Sequence, residues 1–386
     1  MGEYEGVENM KTLDKTNKIY CGNALDVLKK MPSEFIDCCV TSPPYWALRD
    51  YGTEGNIWDG DSNCEHDWSR EIGRKQSRES PGVGAKQEMD GSLGNYCSKC
   101  KAWKGNLGLE PTFDLYIKHL CDIFDEVKRV LRKDGTCWVV IGDTYASGGG
   151  AATEQSWVRE ANSTQGHPDN PAKSKLRKTI PKSLIMIPFR FAIEMVNRGW
   201  ILRNTIIWHK PNCMPASVKD RFTVDYEYVF FFTKNKKYYF EQQFEPIKLD
   251  SVKRERRGNK DNKYSKDEYF PEGVHANTMS QPREYKGYND VEQECSERKG
   301  RNKRTVWNIS TKPFKEAHFA VFPEDLIETP IRAGCPENGI VLDPFLGAGT
   351  TALVALKQSK KFIGIELNRE YCKIANKRLN NFLKNH

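Results

Sequence analysis

The stretch Ile340-Val-Leu-Asp343-Pro344-Phe345-Leu-Gly347-Ala-Gly349-Thr350-Thr351-Ala352 reads as a buried apolar strand, a glycine turn and the start of a helix. The glycines let the backbone pass close to a ligand, and the amino end of the helix offers unpaired N–H groups. The next apolar run, Lys361-Phe-Ile-Gly-Ile-Glu366, ends in an acid about 20 residues beyond the turn, placed to accept ribose hydroxyls. Strand, turn, helix, strand and helix follow one another over 340–386. This alternation sets the fold class as α/β, with a doubly wound, mostly parallel sheet. A P-loop would need Gly-Lys-Ser/Thr after the turn, and no lysine stands there, so a nucleotide triphosphatase is disfavoured. A nicotinamide dehydrogenase fits the glycines and the acid but gives Asp343-Pro344-Phe345 no role. A plain helix-capping turn is the third reading.

Working outward, Asn23 to Lys30 suits a short helix. Phe35-Ile-Asp-Cys-Cys-Val40 is a buried strand that runs into Thr41-Ser42-Pro43-Pro44-Tyr45-Trp46. Two prolines remove two backbone donors and stiffen this loop, leaving carbonyls free to accept hydrogen bonds. The amino group of a nucleobase has its lone pair delocalised into the ring. If the Ser42 hydroxyl and the Pro43 carbonyl accept its two N–H bonds, the nitrogen becomes pyramidal and can attack an electrophile directly. Tyr45, with Trp46 assisting, offers a face on which a flipped base stacks. Taken alone, the same hexapeptide also fits a rigid strand exit with a packed aromatic.

Further helices are expected over Pro111–Leu131, ended by Asp134-Gly135, and near Ser183–Arg198. Strands are expected at Thr136–Ile141, Trp200–Trp208 and Tyr226–Thr233. Residues 60–106 lack periodicity and read as an inserted loop. Within it Cys64-Glu-His66 and Cys97-Ser-Lys-Cys100 supply four soft ligands suited to structural tetrahedral zinc, which would staple a loop too polar to fold alone. The other reading is two thiols and an imidazole coinciding in a flexible loop. Most of the other nine of the twelve cysteines, among them Cys38, Cys39, Cys121 and Cys137, sit in apolar runs as small buried groups.

Both loops resemble the motifs of S-adenosylmethionine-dependent, amino-methylating DNA methyltransferases, the enzymes of cytosine N4 and adenine N6. The order found here, catalytic loop first and cofactor loop last with a basic variable region between, is that of their beta group. The resemblance implies a Rossmann-like methyltransferase fold. Phe345, Gly347, Gly349, Thr350 and Thr351 then line the cofactor, Asp343 sits at its methionine end, and Glu366 holds the ribose. Ser42, Pro43, Pro44, Tyr45 and Trp46 form the catalytic loop. Asn23 and Ala24, in Ile19-Tyr-Cys-Gly22-Asn23-Ala24, resemble the segment that meets the adenine ring, although many relatives have Asp where Asn23 stands. His318-Phe-Ala-Val-Phe322-Pro323 resembles the motif that closes over the methionine moiety. Arg203, Lys210, Lys219 and Arg221 fall in further familial segments near the base pocket or the DNA backbone. Ser42 at the second position of the hexapeptide favours cytosine N4, with adenine N6 as the alternative.

These readings divide the chain into a catalytic half (18–59 and 107–240), an inserted zinc module (60–106), a target-recognition region (241–304) and a cofactor half (305–386). The target-recognition region interleaves basic residues with tyrosines. Lys253, Arg254, Arg256 and Arg257 are its candidates for phosphate contacts, although a solvated surface would look much the same. The net charge of +8 over 386 residues agrees with a polyanion partner without demanding one. No apolar run reaches the roughly 18 residues of a membrane span, and the amino terminus has no apolar signal core. A cytoplasmic enzyme, off the membrane, is expected. Its partners would be double-stranded DNA and a cognate restriction endonuclease, and its assembly a monomer or homodimer. A non-catalytic DNA-binding protein would have no reason to keep an intact cofactor loop.

Overall fold

The computed structural model describes residues 16–47, 52–68, 95–146, 182–246, 300–312 and 321–385. In chain order the elements are β1 (Lys18–Cys21), α1 (Ala24–Lys30), β2 (Ile36–Thr41), β3 (Asn56–Trp58), β4 (Trp103–Gly105), α2 (Phe113–Val130) and β5 (Leu131–Ile141). There follow α3 (Ile187–Asn197), β6 (Ile201–His209), β7 (Tyr226–Thr233), β8 (Phe244–Glu245), β9 (Arg301–Asn302) and β10 (Val306–Asn308). The last are α4 (Glu324–Gly334), β11 (Ile340–Asp343), α5 (Thr350–Lys357), β12 (Lys361–Glu366) and α6 (Arg369–Asn385).

Eight strands build one sheet in the order β1-β12-β11-β2-β5-β7-β6-β10. Every neighbouring pair is parallel except those made by β7, which runs antiparallel to both β5 and β6. β7 is interior and buried on both faces, which is why it reads as a continuous run, Val229-Phe-Phe-Phe-Thr233, rather than an alternation. Its Phe231 stacks on Trp138 of β5 with centroids 3.9 Å apart.

The pleat divides the core in two. Cys39, Cys137, Val139, Phe230 and Phe232 face one cluster with α1, α2 and α3. Their chain neighbours Cys38, Val40, Trp138, Val140 and Phe231 face the other, with α4, α5 and α6. Helices on both faces make the sheet doubly wound, and Cys38, Cys39, Cys121 and Cys137 are fully buried.

Local signals account for most elements. Asn23 caps α1, its Oδ1 accepting from the N–H of Leu25 at 2.8 Å and of Asp26 at 3.3 Å. Thr112 caps α2 through a 3.2 Å bond from the N–H of Leu115. α2 ends at Val130, four residues before the Asp134-Gly135 expected to end it. Leu131 already pairs with Ile36 of β2, and a register shift before Cys38 takes up the intervening residues. α3 begins at Ile187, later than its sequence suggests, because its cap comes from elsewhere. Asp143, just beyond β5, accepts the N–H of Ile187 at 3.0 Å.

The ends of the 60–106 insertion are ordered. β3 and β4 pair antiparallel, and Trp58 Nε1 donates to the Gly105 carbonyl at 2.9 Å. Between and beneath them His119 of α2 is fully buried, sandwiched by the rings of Trp58 and Trp103. Its Nδ1 lies 3.1 Å from Glu110 and its Nε2 3.2 Å from Asp59. Burial opposes protonation of this imidazole, but the two carboxylates outweigh it and raise its pKa.

Residues Glu241–Arg304 form a compact unit separate from the rest of the chain. Within it β8 pairs antiparallel with β9. Glu245 accepts from Arg301 Nε at 2.8 Å and from Arg304 Nε at 2.6 Å. No helix among the described residues is long and apolar enough to cross a membrane.

Candidate active site

β2, β11 and β12 are adjacent and parallel, so the loops that leave their carboxyl ends emerge together. Between them opens a cavity of about 360 Å³ whose lining includes Asn23, Ala24, Ser42, Tyr45, Phe345 and Glu366. Pro43, Pro44, Lys210, Phe322, Gly347 and Thr350 also line it.

Asp343 lies behind this wall rather than in it. It is 1% exposed, and both oxygens are taken: Thr41 Oγ1 donates to Oδ1 and Thr351 Oγ1 to Oδ2, each at 2.6 Å. The N–H of Phe345 adds a third bond at 3.0 Å. Burial pushes this carboxyl up to about 6 despite those donors. Its effect is mechanical: it ties the residue before Ser42 to the first turn of α5 and so fixes the spacing of the two loops. Thr351 is thereby turned inward, while Gly349 takes the left-handed backbone (φ 82°) that starts α5. A side chain at Gly349 would also press on Ala375 of α6, 3.0 Å away.

Glu366 closes β12 beside the glycine turn. Its carboxylate accepts the N–H of Gly347 at 2.8 Å and that of Asn368 at 2.7 Å. Burial nevertheless raises its pKa to about 7. The Gly22 N–H donates to the Glu366 carbonyl at 2.9 Å, which brings the Gly22-Asn23-Ala24 turn onto the same rim. Phe322 reaches the cavity and Pro323 precedes α4; His318 lies outside the described residues.

In the catalytic loop the Ser42 hydroxyl lies 3.5 Å from the Tyr45 hydroxyl, which donates to Glu227 of β7 at 2.8 Å. Lys210 Nζ bonds the other Glu227 oxygen and sits 4.4 Å over the Trp208 ring. Burial, and then the Glu227 charge, hold the Tyr45 phenol far above its ordinary pKa, so it remains a donor. Its ring fits because Gly142 follows β5: a Cβ there would lie 2.7 Å from Tyr45 Cε2. Tyr116 of α2 donates to the Pro44 carbonyl at 2.8 Å. The Pro43 carbonyl is thus the one left for a ligand in the reading above. Trp46 turns away from the cavity, bonding the Glu110 carbonyl at 2.9 Å and packing edge-on to Phe113.

Sequence reasoning missed Glu227, Gly142 and Tyr116. An acid inside the aromatic run Tyr226-Glu227-Tyr228 and a glycine straight after a buried strand were the available signals. Tyr116 gave none.

Of the basic residues, Lys210 is part of the cavity. Lys219 and Arg221 stand exposed in the β6–β7 connection, Arg221 3.8 Å over the Tyr145 ring. Arg203 lies near the amino end of β6, away from the cavity, bonded at 2.9 Å to the Tyr238 hydroxyl. Lys253, Arg254, Arg256 and Arg257 lie outside the described residues.

In the insertion, one ligand atom from each of Cys64, His66, Cys97 and Cys100 falls within 4.8 Å of all the others. The Cys64 and Cys97 sulfurs are 3.9 Å apart, and Cys100 Sγ is 3.3 Å from His66 Nδ1. Zinc–sulfur bonds of about 2.3 Å at tetrahedral angles require sulfurs roughly 3.8 Å apart. Against the penalty of burial, the N–H groups of Cys100, Asp67 and Lys99, together with His66, lower the Cys97 pKa to about 5.

Comparison with known proteins identifies the family and the fold. The N6_N4_Mtase family, described as DNA methylase, matches residues 36–377. The type II methyltransferase M.SmaI of Serratia marcescens is 34% identical over 362 residues, covering 94% of this chain and 90% of the relative. M.Cfr9I of Citrobacter freundii is 34% identical over 361 residues, covering 94% and 87%. The fold of the PvuII DNA methyltransferase (cytosine-N4-specific) superposes with a TM-score of 0.50 at 17% identity, covering 93% of this chain and 84% of that one. The chain therefore belongs to the N6/N4 DNA methylase family, the S-adenosylmethionine-dependent methyltransferases of exocyclic amino groups in DNA.

Proposed function

We propose that the protein methylates the N4 amino group of cytosine in double-stranded DNA, as the modification enzyme of a restriction–modification system. The observation that carries this reading is the cavity shared by the glycine turn and the Ser42-Pro43-Pro44-Tyr45 loop. S-adenosylmethionine, when bound, supplies an electrophilic methyl group on a sulfonium. Phe345, Gly347 and Thr350 form its bed, and Glu366 accepts its ribose hydroxyls. Ser42 Oγ and the Pro43 carbonyl accept the two N–H bonds of the target amine and free its lone pair for direct attack on the methyl, without an enzyme-bound intermediate. The methyl–sulfur bond would break as the methyl–nitrogen bond forms, its electron pair staying on sulfur, and the surplus N–H proton would pass to solvent. Tyr45 stacks on the flipped base, and Glu227 and Lys210 hold its ring in place. Ser42, in place of an acidic or amide residue, supports cytosine over adenine. The type II relatives support duplex DNA as substrate and a cognate endonuclease as companion.

Lys219 and Arg221 are read as phosphate contacts, and the Glu241–Arg304 unit as the target-recognition region. Cys64, His66, Cys97 and Cys100 are read as ligands of a structural zinc ion, since their spacing suits tetrahedral geometry. The deciding experiment is mass spectrometry of nucleosides from DNA incubated with the protein and labelled S-adenosylmethionine. Labelled N4-methylcytosine is expected. Labelled N6-methyladenine would overturn the base assignment and keep the family.

A further inference from the structure

The cavity contains a buried acceptor that the protein leaves unanswered. Asn106, directly after β4, is 9% exposed and lines the cavity. Its Nδ2 donates to the Thr53 carbonyl at 2.8 Å, which fixes the amide orientation, and its Oδ1 has no hydrogen-bond partner. Its surroundings hold it still: the Gly105 carbonyl is taken by Trp58, and Gly108 N–H by Glu110 at 2.8 Å. A buried acceptor fixed in this way costs free energy until a donor arrives. Of the buried side-chain nitrogens and oxygens without a partner among the described residues, this is the one at the cavity.

The donors that ligands would bring here can be assigned one by one, on the methyltransferase reading above, on which this inference rests. The amine of the base faces Ser42 and Pro43, the ribose faces Glu366, and the adenine ring with its amino group meets the Gly22-Asn23-Ala24 turn on the cavity wall. The α-ammonium of the cofactor's methionine moiety still needs an acceptor. The carboxylate that the resemblance places at that end, Asp343, is sealed, with both oxygens bonded to threonines. We propose that Asn106 Oδ1 accepts an N–H of this ammonium. A neutral amide suits the role, because the α-ammonium is accompanied by its own α-carboxylate, which already balances its charge.

The test is calorimetric binding of S-adenosylhomocysteine and of its deaminated analogue to the wild-type chain and to Asn106→Leu. The expected result is a loss of roughly 10- to 100-fold in S-adenosylhomocysteine affinity on substitution, with the deaminated analogue bound alike by both proteins. Equal weakening of both ligands would overturn the proposal in favour of a structural role. Unchanged S-adenosylhomocysteine affinity with a reduced kcat/KM for DNA would overturn it in favour of a contact to the base. If Asn106→Leu does not fold, the wild-type chain still decides: it must prefer S-adenosylhomocysteine to the deaminated analogue, and equal affinity refutes the assignment. Failure of the wild-type chain to bind either ligand would instead bring down the cofactor reading, and this inference with it.

Discussion

Tyr45 shows how one residue's chemistry is set by residues remote in sequence. Its ring is placed by the missing side chain of Gly142 and its hydroxyl by Glu227, which Lys210 holds from the other side. The ring and the hydroxyl therefore have separable effects. Tyr45→Ala should lower turnover by roughly two orders of magnitude while leaving cofactor affinity within about twofold, since a stacking face is worth about 1–3 kcal/mol. Tyr45→Phe keeps the face and loses the hydroxyl's ties to Glu227 and to Ser42, so a loss of about tenfold is expected. Steady-state kinetics with a cofactor-binding assay checks both. If the two variants are equally impaired, stacking is not what Tyr45 contributes. At this scale Ser42, Tyr45 and Glu366 were legible in the sequence, because each stands at a fixed offset within a local motif. Glu227 and Asn106 were not, because each reaches the cavity from a strand or loop distant along the chain.

Two elements carry their own predictions. The β3–β4 insertion ends are clamped by the Trp58–His119–Trp103 stack at one side and by the Cys64, His66, Cys97 and Cys100 cluster at the other. If zinc occupies the cluster, chelation should lower the melting temperature by several degrees and elemental analysis should return about one zinc per chain. An unchanged melting curve without zinc would reduce the cluster to coincidence. The β6–β7 connection exposes Lys219 and Arg221 together with Met214 (89% exposed) and Phe222 (95% exposed). The double variant Lys219→Ala/Arg221→Ala should weaken binding to all duplexes alike and reduce the salt slope of log K by about 2. A change in sequence preference with the slope intact would assign these residues to base reading instead. α3 illustrates the limit of local signals: its apolar spacing was readable, but its start depends on Asp143, which the fold brings to it from the end of β5.

For the whole molecule, three groups make stability depend on pH in the same direction. Burial raises Asp343 to about 6 and Glu366 to about 7, and the Asp59 and Glu110 carboxylates raise His119 against its own burial. A group that holds its proton more tightly when folded stabilises the fold fully below its ordinary pKa. That contribution is lost as pH rises through the folded value. The cofactor-free protein should therefore lose stability in urea between pH 5 and pH 8, and Glu366→Gln should lose less. If Glu366 accepts the ribose hydroxyls as proposed, cofactor affinity should move the other way, rising from pH 6 to pH 8 as it ionises. A rise in urea resistance of the free protein over that range, in wild type and variant alike, would contradict the assignment.

The sequence by itself determined the α/β class, the positions of most strands and helices, the two loops that line the cavity, and the family. These depend on periodicity and on short-range chemistry: apolar alternation, prolines that strip donors, and glycines that admit a ligand. The tertiary structure decided the rest. It sealed Asp343 as a brace between loops about 300 residues apart in the chain, turned Trp46 out of the cavity and left Arg203 far from it. It also brought Glu227, Lys210 and Asn106 to the cavity and set Gly142 against the Tyr45 ring. The reason is that a side chain's partners across a parallel sheet are fixed by strand order, and strand order leaves no local mark in the sequence.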